Sequence, residues 1–368
     1  MDRLIIQIKL KDMEIEKELW ARTPQGKEIF RYTLKNRNGS SVQLSDIGAG
    51  IVAINVPDAN GKMADVVLGY RDPMSYFGDG PCAGKIPGRY ANRIAGGRFE
   101  LDGKVYELPV NNGPNHLHGG PEGFQNKVWE SRIENGGVEF MYYAEDGEMG
   151  YPGALKAVAR YEWSEDNELR LTLTAQCDAP TVINLTNHAY FNLNGEGSGT
   201  VLGHELRLNA SEYLPSDSTL VPLGESSPVA GTPMDFIVAK PLGRDIRQEF
   251  PALEYGKGYD SCWVIDGYEK GQIQAAAELY SPESGRVLEV FTTQPGVQVY
   301  TGNWLSGCPV GKCGRSYEDY EGVAIECQHF PDSPNEPEYP STVLRPGEVY
   351  EEAIIFAFSI RENGKAGE

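Results

Sequence analysis

Positive charge is scarce in this chain, cysteine is sparse, and no stretch of ten or more residues keeps the 3.6-residue apolar period of an amphipathic helix. The 33 basic residues face 53 acidic ones, a formal net charge of −20. Such a surface repels nucleic acid, anionic membranes and polyanionic substrates, and a neutral small molecule is the expected partner. The six cysteines, Cys82, Cys177, Cys262, Cys308, Cys313 and Cys327, occur singly. Their spacing excludes a dense disulfide framework and a paired CxxC zinc site, and predicts free thiols in a reducing compartment. The N-terminal "MDRLIIQIKLKDMEIEKELW" offers only a short apolar run, Leu4 to Ile8, interrupted by Gln7. That run is too short for a signal core or a membrane span, so a cytoplasmic location is expected.

What is present is β-sheet pattern from end to end. Short alternating segments recur, among them "GVEFMYYA", "ALKAVARYEW", "ELRLTLTAQ", "RVLEVFTT" and "EEAIIFAFSI". In "ELRLTLTAQ", Leu169, Leu171 and Leu173 alternate with Arg170, Thr172 and Thr174, and the preceding "SEDN" turns back toward "ALKAVARYEW" as a hairpin. The 43 glycines and 24 prolines supply turns along the whole chain. At 368 residues a single large core is available, burying roughly 75% of the unfolded surface. With no repeat, linker or composition break, the chain reads as one all-β antiparallel sandwich over residues 21–362. Residues 1–20 form an extension or added strand, and residues 363–368, "NGKAGE", form a frayed tail.

Two segments have faces too polar for ordinary strands. In "TVINLTNHAYFNL", Thr181 to Leu193, alternation puts Ile183, Leu185, Phe191 and Leu193 on one side and Asn184, Thr186, His188, Tyr190 and Asn192 on the other. Amide, hydroxyl and imidazole without charge suit a neutral polar ligand. In "EGVAIECQHF", Val323, Ile325 and Cys327 take one face, while Glu326 shares the other with Gly322, Ala324, Gln328 and Phe330. Small neighbours leave room beside the carboxylate; a surface glutamate on an edge strand is the plainer alternative.

Other polar residues sit in turns. "NNGPNHLHGG" carries His116 and His118, with Glu122 four residues on, the HxHxxxE spacing of some metal sites. Val110 and Trp129 stand where that pattern has glycines, and the surrounding glycines and prolines indicate a loop. "GRYANRIAGGRF" holds Asn92 and Arg93, "GKGYDSCWVID" opens a strand at Asp260, and "FTTQPGVQVYTGN" bends just after Gln294. Singly, each reads as a surface cation, a strand-end cap or a turn.

Together, in this order and spacing, these segments resemble the aldose 1-epimerase, or galactose mutarotase, family. The similarity runs from about residue 25 to 360, and "NLTNHAYFNL" and "AIECQHFPDSPN" are its most specific stretches. It implies a mutarotase-like β-supersandwich with an open cleft and no cofactor or metal. It also implies His188 as general acid and Glu326 as general base. Asn92, Arg93, His118, Tyr190, Asp260 and Gln294 are implied as contacts for the sugar.

The chemistry needs one proton-transfer group on each side of a hexose: a base for the C1 hydroxyl and an acid for the ring oxygen. A glutamate with pKa about 4.3 is ionised at pH 7, while a histidine at about 6.5 is only about a quarter protonated. Asp260 and Glu326 are the charges expected to raise the histidine, giving a bell-shaped profile with the acidic limb from Glu326 and the alkaline limb from His188. A hexose-6-phosphate epimerase would need a cationic cluster. A glycosidase would use Asp260 and Glu326 as its carboxylate pair, and a non-catalytic sugar-binding protein would need no matched acid and base.

Overall fold

A computed structural model describes residues 5–9 and 13–361. The expected tail, 363–368, lies outside the described residues. The antiparallel all-β expectation holds: the only α-helix among the described residues is Pro251–Gly256. The alternating segments become strands close to their expected limits, including Gly137–Ala144, Leu155–Trp163, Glu168–Cys177, Arg286–Thr292 and Tyr350–Ile360. The expected hairpin pairs Leu155 with Cys177 and Trp163 with Leu169.

A nine-stranded sheet runs from Glu130–Glu134 through Gly137–Ala144 and the hairpin, then Tyr350–Ile360, Arg286–Thr292 and Gln274–Tyr280, to Glu205–Leu208 and Lys240–Pro241. A six-stranded sheet places Tyr190–Phe191, Val323–Gln328, Gly296–Tyr300, Asp260–Val264, Glu212–Tyr213 and Ser227–Pro228 side by side. Leu171, Leu173, Ile354 and Phe356 of the first share one core with Val297, Val299, Val323 and Ile325 of the second. Phe191 and Phe356 meet across it with ring centroids 5.3 Å apart. Truncating one such fully buried leucine to alanine costs about 2–5 kcal/mol. The core claims the odd-numbered residues of Gly296–Tyr300 and Val323–Gln328. By strand alternation their even-numbered residues face away from it, and that opposite face carries the site.

A second six-stranded sheet is a simple meander of Ile5–Lys9, Met13–Arg22, Glu28–Asn36, Ser41–Ser45, Gly50–Pro57 and Met63–Asp65. Met13–Arg22 pairs along its length with Glu28–Asn36, so the boundary expected after residue 20 falls inside a paired strand. Ile15 of that strand is fully buried in the main core.

Candidate active site

The segment Thr181–Leu193 is not the continuous strand its alternation predicts. It pairs only at Thr181–Val182 and Tyr190–Phe191, with a single parallel bridge from Asn184 to Tyr90 between them. Its amides replace ladder bonds, because a side-chain amide competes with a neighbouring strand for backbone partners. Asn184 donates to the carbonyls of Ala91 and His329, Asn187 to Gly84, and Asn192 to Gly199 and Glu321. On the polar face Asn184, Tyr190 and Asn192 therefore bind backbone, whereas the Thr186 hydroxyl and His188 Nδ1 have no such partner. The His188 backbone is fixed on both sides, N–H to the Lys85 carbonyl and carbonyl to the Gly84 N–H, each at 2.9 Å.

The floor of the site follows from sheet register. Asp260 pairs with Tyr300, Cys262 with Gln298, Gln298 with Glu326, and Ala324 with both Tyr300 and Tyr190. Glu326 is on an interior strand and 2% exposed, which excludes the surface-edge alternative. The room expected around it is partly taken: Ala324 lies between two tyrosines, and a Cβ on Gly322 would meet Leu68 Cδ1 at 2.5 Å.

Above this floor is a cavity of about 460 Å³, within the range of small-molecule sites. Asn92, Arg93, His118, His188, Tyr190, Asp260 and Glu326 all line it. His188 Nε2 lies 3.4 Å from Glu326 Oε1. The His118 ring stands perpendicular to that of His188, centroids 5.3 Å apart. Arg93 Nη2 is 3.8 Å from Asp260 Oδ2, and its Nε donates to Asn112 Oδ1 at 3.1 Å. Gln298 Nε2 donates to the other Asp260 oxygen at 2.6 Å. The Tyr190 hydroxyl donates to the Pro81 carbonyl, which leaves its ring as the wall. Asn92 adopts a left-handed backbone (φ 63°), which asparagine tolerates well, and its Oδ1 accepts the Arg93 N–H.

Gln294 does not line the cavity. It is fully buried beneath the floor and donates to the backbone carbonyls of Leu185 and Cys327. Gln298 of the same "TTQPGVQVYTGN" stretch does not line the cavity directly either, but donates to the lining residue Asp260. Gln298 alternates with the core residues Val297 and Val299 and therefore shares the site face with Tyr300, a signal that the pattern already held. Asn112, Tyr300 and the half-exposed rim residue Trp304 were also missed.

The HxHxxxE residues do not converge. Both His116 ring nitrogens are engaged, Nδ1 with the Pro109 carbonyl and Nε2 with the Tyr151 hydroxyl, and Glu122 points out beside Lys127. A different trio, His118, His188 and Glu326, has ligand-type atoms within 4.8 Å of one another. The tautomer of His118 argues against a cation there. Its Nδ1 accepts the Asn92 N–H at 3.0 Å, so the proton sits on Nε2, which then donates and does not ligate.

Burial dominates the electrostatics and opposes the ionisation expected of the acid and the base. Desolvation lowers the His188 imidazole to about 4 and pushes the Glu326 carboxyl well above the usual carboxylate range, with Asp260 adding to the latter. Asp260 is raised by burial too, against the pull of Arg93 and Gln298. His118 is held neutral by burial and by the neighbouring His188 and Arg93. Burial thus draws a proton shared by the His188–Glu326 pair toward Glu326 and the uncharged form.

The family model described as aldose 1-epimerase matches residues 31–357. The chain belongs to the aldose 1-epimerase family. It is 43% identical over 319 residues to a galactose mutarotase of Sus scrofa, covering 87% of this chain and 91% of that relative. An aldose 1-epimerase of Escherichia coli is 38% identical over 341 residues, covering 92% and 97%. Among solved structures, an aldose epimerase homologue from C. elegans superposes with a TM-score of 0.81 at 34% identity, covering 88% of this chain and 97% of that one. The family assignment and the superposition make the architecture a galactose mutarotase-like supersandwich.

Proposed function

We propose that this cavity interconverts the α and β anomers of free aldohexoses such as glucose and galactose, with Glu326 as base and His188 as acid. The supporting observation is the 3.4 Å approach of these two buried side chains on a cavity floor otherwise lined with neutral and hydroxyl-binding groups. The Glu326 carboxylate takes the O1 proton as the C1–O5 bond breaks, and O5 takes its proton from the His188 imidazolium. C1 becomes an aldehyde and turns about the C1–C2 bond. O5 then adds to the other face, His188 recovers its proton and Glu326 returns one to O1.

The proton count explains why the pair is buried. The cyclic sugar meets the imidazolium–carboxylate form, and the open-chain aldehyde meets the neutral form, with the same single proton on the pair in both. A dry cavity favours the neutral form, so burial lowers the energy of the open-chain complex relative to the cyclic one. Arg93, His118, Asp260 and the Tyr190 ring hold the hydroxyls and the ring face while this happens, with Gln298 steadying Asp260. Acid and base each contribute typically about 10²- to 10⁴-fold.

Among the described residues lining the cavity, Arg93 is the single cation, and it is already engaged by Asp260 and Asn112. That composition favours a free sugar over a phosphorylated one. The six cysteines, all unpaired, support a reducing cytoplasmic setting. Polarimetry on freshly dissolved α-D-glucose and α-D-galactose tests the proposal. Accelerated mutarotation that survives exhaustive chelation is expected; no acceleration of either sugar would refute it.

A further inference from the structure

The acid and the base belong to two chain segments that are paired for only part of their length. Tyr190 and Phe191 ladder with Ala324 and Val323, and the pairing stops there. His188 lies two residues beyond that end, in a stretch with no ladder to the strand carrying Glu326. The bonds of His188 to Lys85 and Gly84 hold the acid's own backbone, and a further tie is needed to join its segment to the strand of the base.

The geometry points to Gln294 as the positioning residue of the pair, through a side-chain staple beneath the cavity floor. Its Nε2 donates to the Leu185 carbonyl at 3.2 Å and to the Cys327 carbonyl at 2.8 Å. Leu185 precedes the acid by three residues, and Cys327 directly follows the base. An amide nitrogen carries two hydrogens, so one side chain satisfies both carbonyls and ties the unladdered segment to the strand. Asn184 makes a second tie further out, through its amide to the His329 carbonyl and its Oδ1 to the His329 N–H. Gln294 lies nearer the pair.

Its own placement is rigid. Gln294 is fully buried, its backbone N–H donates to Thr292 Oγ1, and Pro295 fixes the chain immediately after it. The Thr292 hydroxyl in turn donates to the Ala353 carbonyl. The staple is thus anchored at the junction of the two sheets, where Arg286–Thr292 of the nine-stranded sheet leads into Gly296–Tyr300 of the site sheet.

This inference rests on the assignment of His188 and Glu326 as acid and base, and the experiment separates the two. Gln294→Met keeps the volume and removes both donors. It is expected to fold, by circular dichroism, and to leave KM for glucose within about threefold, while kcat falls at least about tenfold because acid and base lose their alignment. In the His188→Asn background the same change is expected to cost kcat almost nothing further, since a residue acting through His188 has nothing left to position. If Gln294→Met is unfolded, Gln294→Asn, too short to reach both carbonyls, carries the same kcat test. A folded variant with kcat unchanged overturns the staple, as does a raised KM with kcat intact, the signature of a sugar contact. An equal loss in the His188→Asn background overturns it too. Full activity of His188→Asn itself overturns the acid assignment instead.

Discussion

His188 Nε2 and Glu326 Oε1 stand 3.4 Å apart with side chains only 6% and 2% exposed. At that separation and burial neither group titrates independently, and the pair acts as one acid–base unit.

Removing either partner therefore disables the unit. His188→Asn and Glu326→Gln keep much of the shape and hydrogen-bonding capacity, so both variants are expected to fold and bind sugar while kcat drops by at least about 10²-fold. The double variant is expected to be little slower than the poorer single one, because groups that act together do not contribute additively. Polarimetric progress curves, with binding followed by calorimetry, measure all three. Near-normal turnover of His188→Asn would make that histidine structural.

The pH dependence separates burial from charge pairing. If carboxylates governed His188, its imidazole would titrate above 6.5; burial instead lowers it to about 4. With His188 lowered and Glu326 raised, the pair keeps one proton over the whole interval between their two pKa values. Below about 4 it gains a second, and above the raised Glu326 value it loses the only one. The kcat/KM profile for free enzyme is expected to be a bell whose acidic limb lies near pH 4, with the residual rate of Glu326→Gln following a single titration. An acidic limb above pH 6 contradicts this account.

Asp260 bridges Arg93 and Gln298 on the cavity wall. Asp260→Ala frees both partners to swing and removes an acceptor for sugar hydroxyls. KM is expected to rise about tenfold or more, with a smaller fall in kcat from misplacement of the ring. Unchanged steady-state constants would reduce Asp260 to a strand-end cap.

A stability test lies far from the sugar. Burial raises Asp46 to about 7 from 3.8, despite its bond from the Phe30 N–H, and its Oδ1 has no partner. Because the folded value is the higher one, the native state binds the extra proton between these limits, and stability is lost as pH rises from about 4 through about 7. The shift corresponds to about 4 kcal/mol at most. Asp46→Asn is expected to flatten this decline, melting above the wild type at pH 8 and near it at pH 4. Parallel pH curves of Tm for the two proteins would count against a buried, protonated Asp46.

Alternation made the sheets legible, because half-buried strands such as Glu168–Cys177 display their core face residue by residue. It failed at Thr181–Leu193, where asparagine amides take over from strand pairing and every residue from 181 to 193 is buried on both faces. Seven of the eight residues read as site residues line one cavity, and Gln294 does not. The protonation balance was out of reach for a different reason: it depends on how dry the cavity is, which no spacing of residues encodes. The orientation of His118 likewise depends on a backbone N–H, that of Asn92, which leaves no trace in side-chain pattern.

If His188 and Glu326 act as proposed, their near-complete enclosure also frees the reaction from its medium. Mutarotation in water borrows protons from whatever acids and bases are dissolved there. A pair that hands its one proton out and takes it back within a single turnover has no need of them, and so carries its own buffer into the reaction.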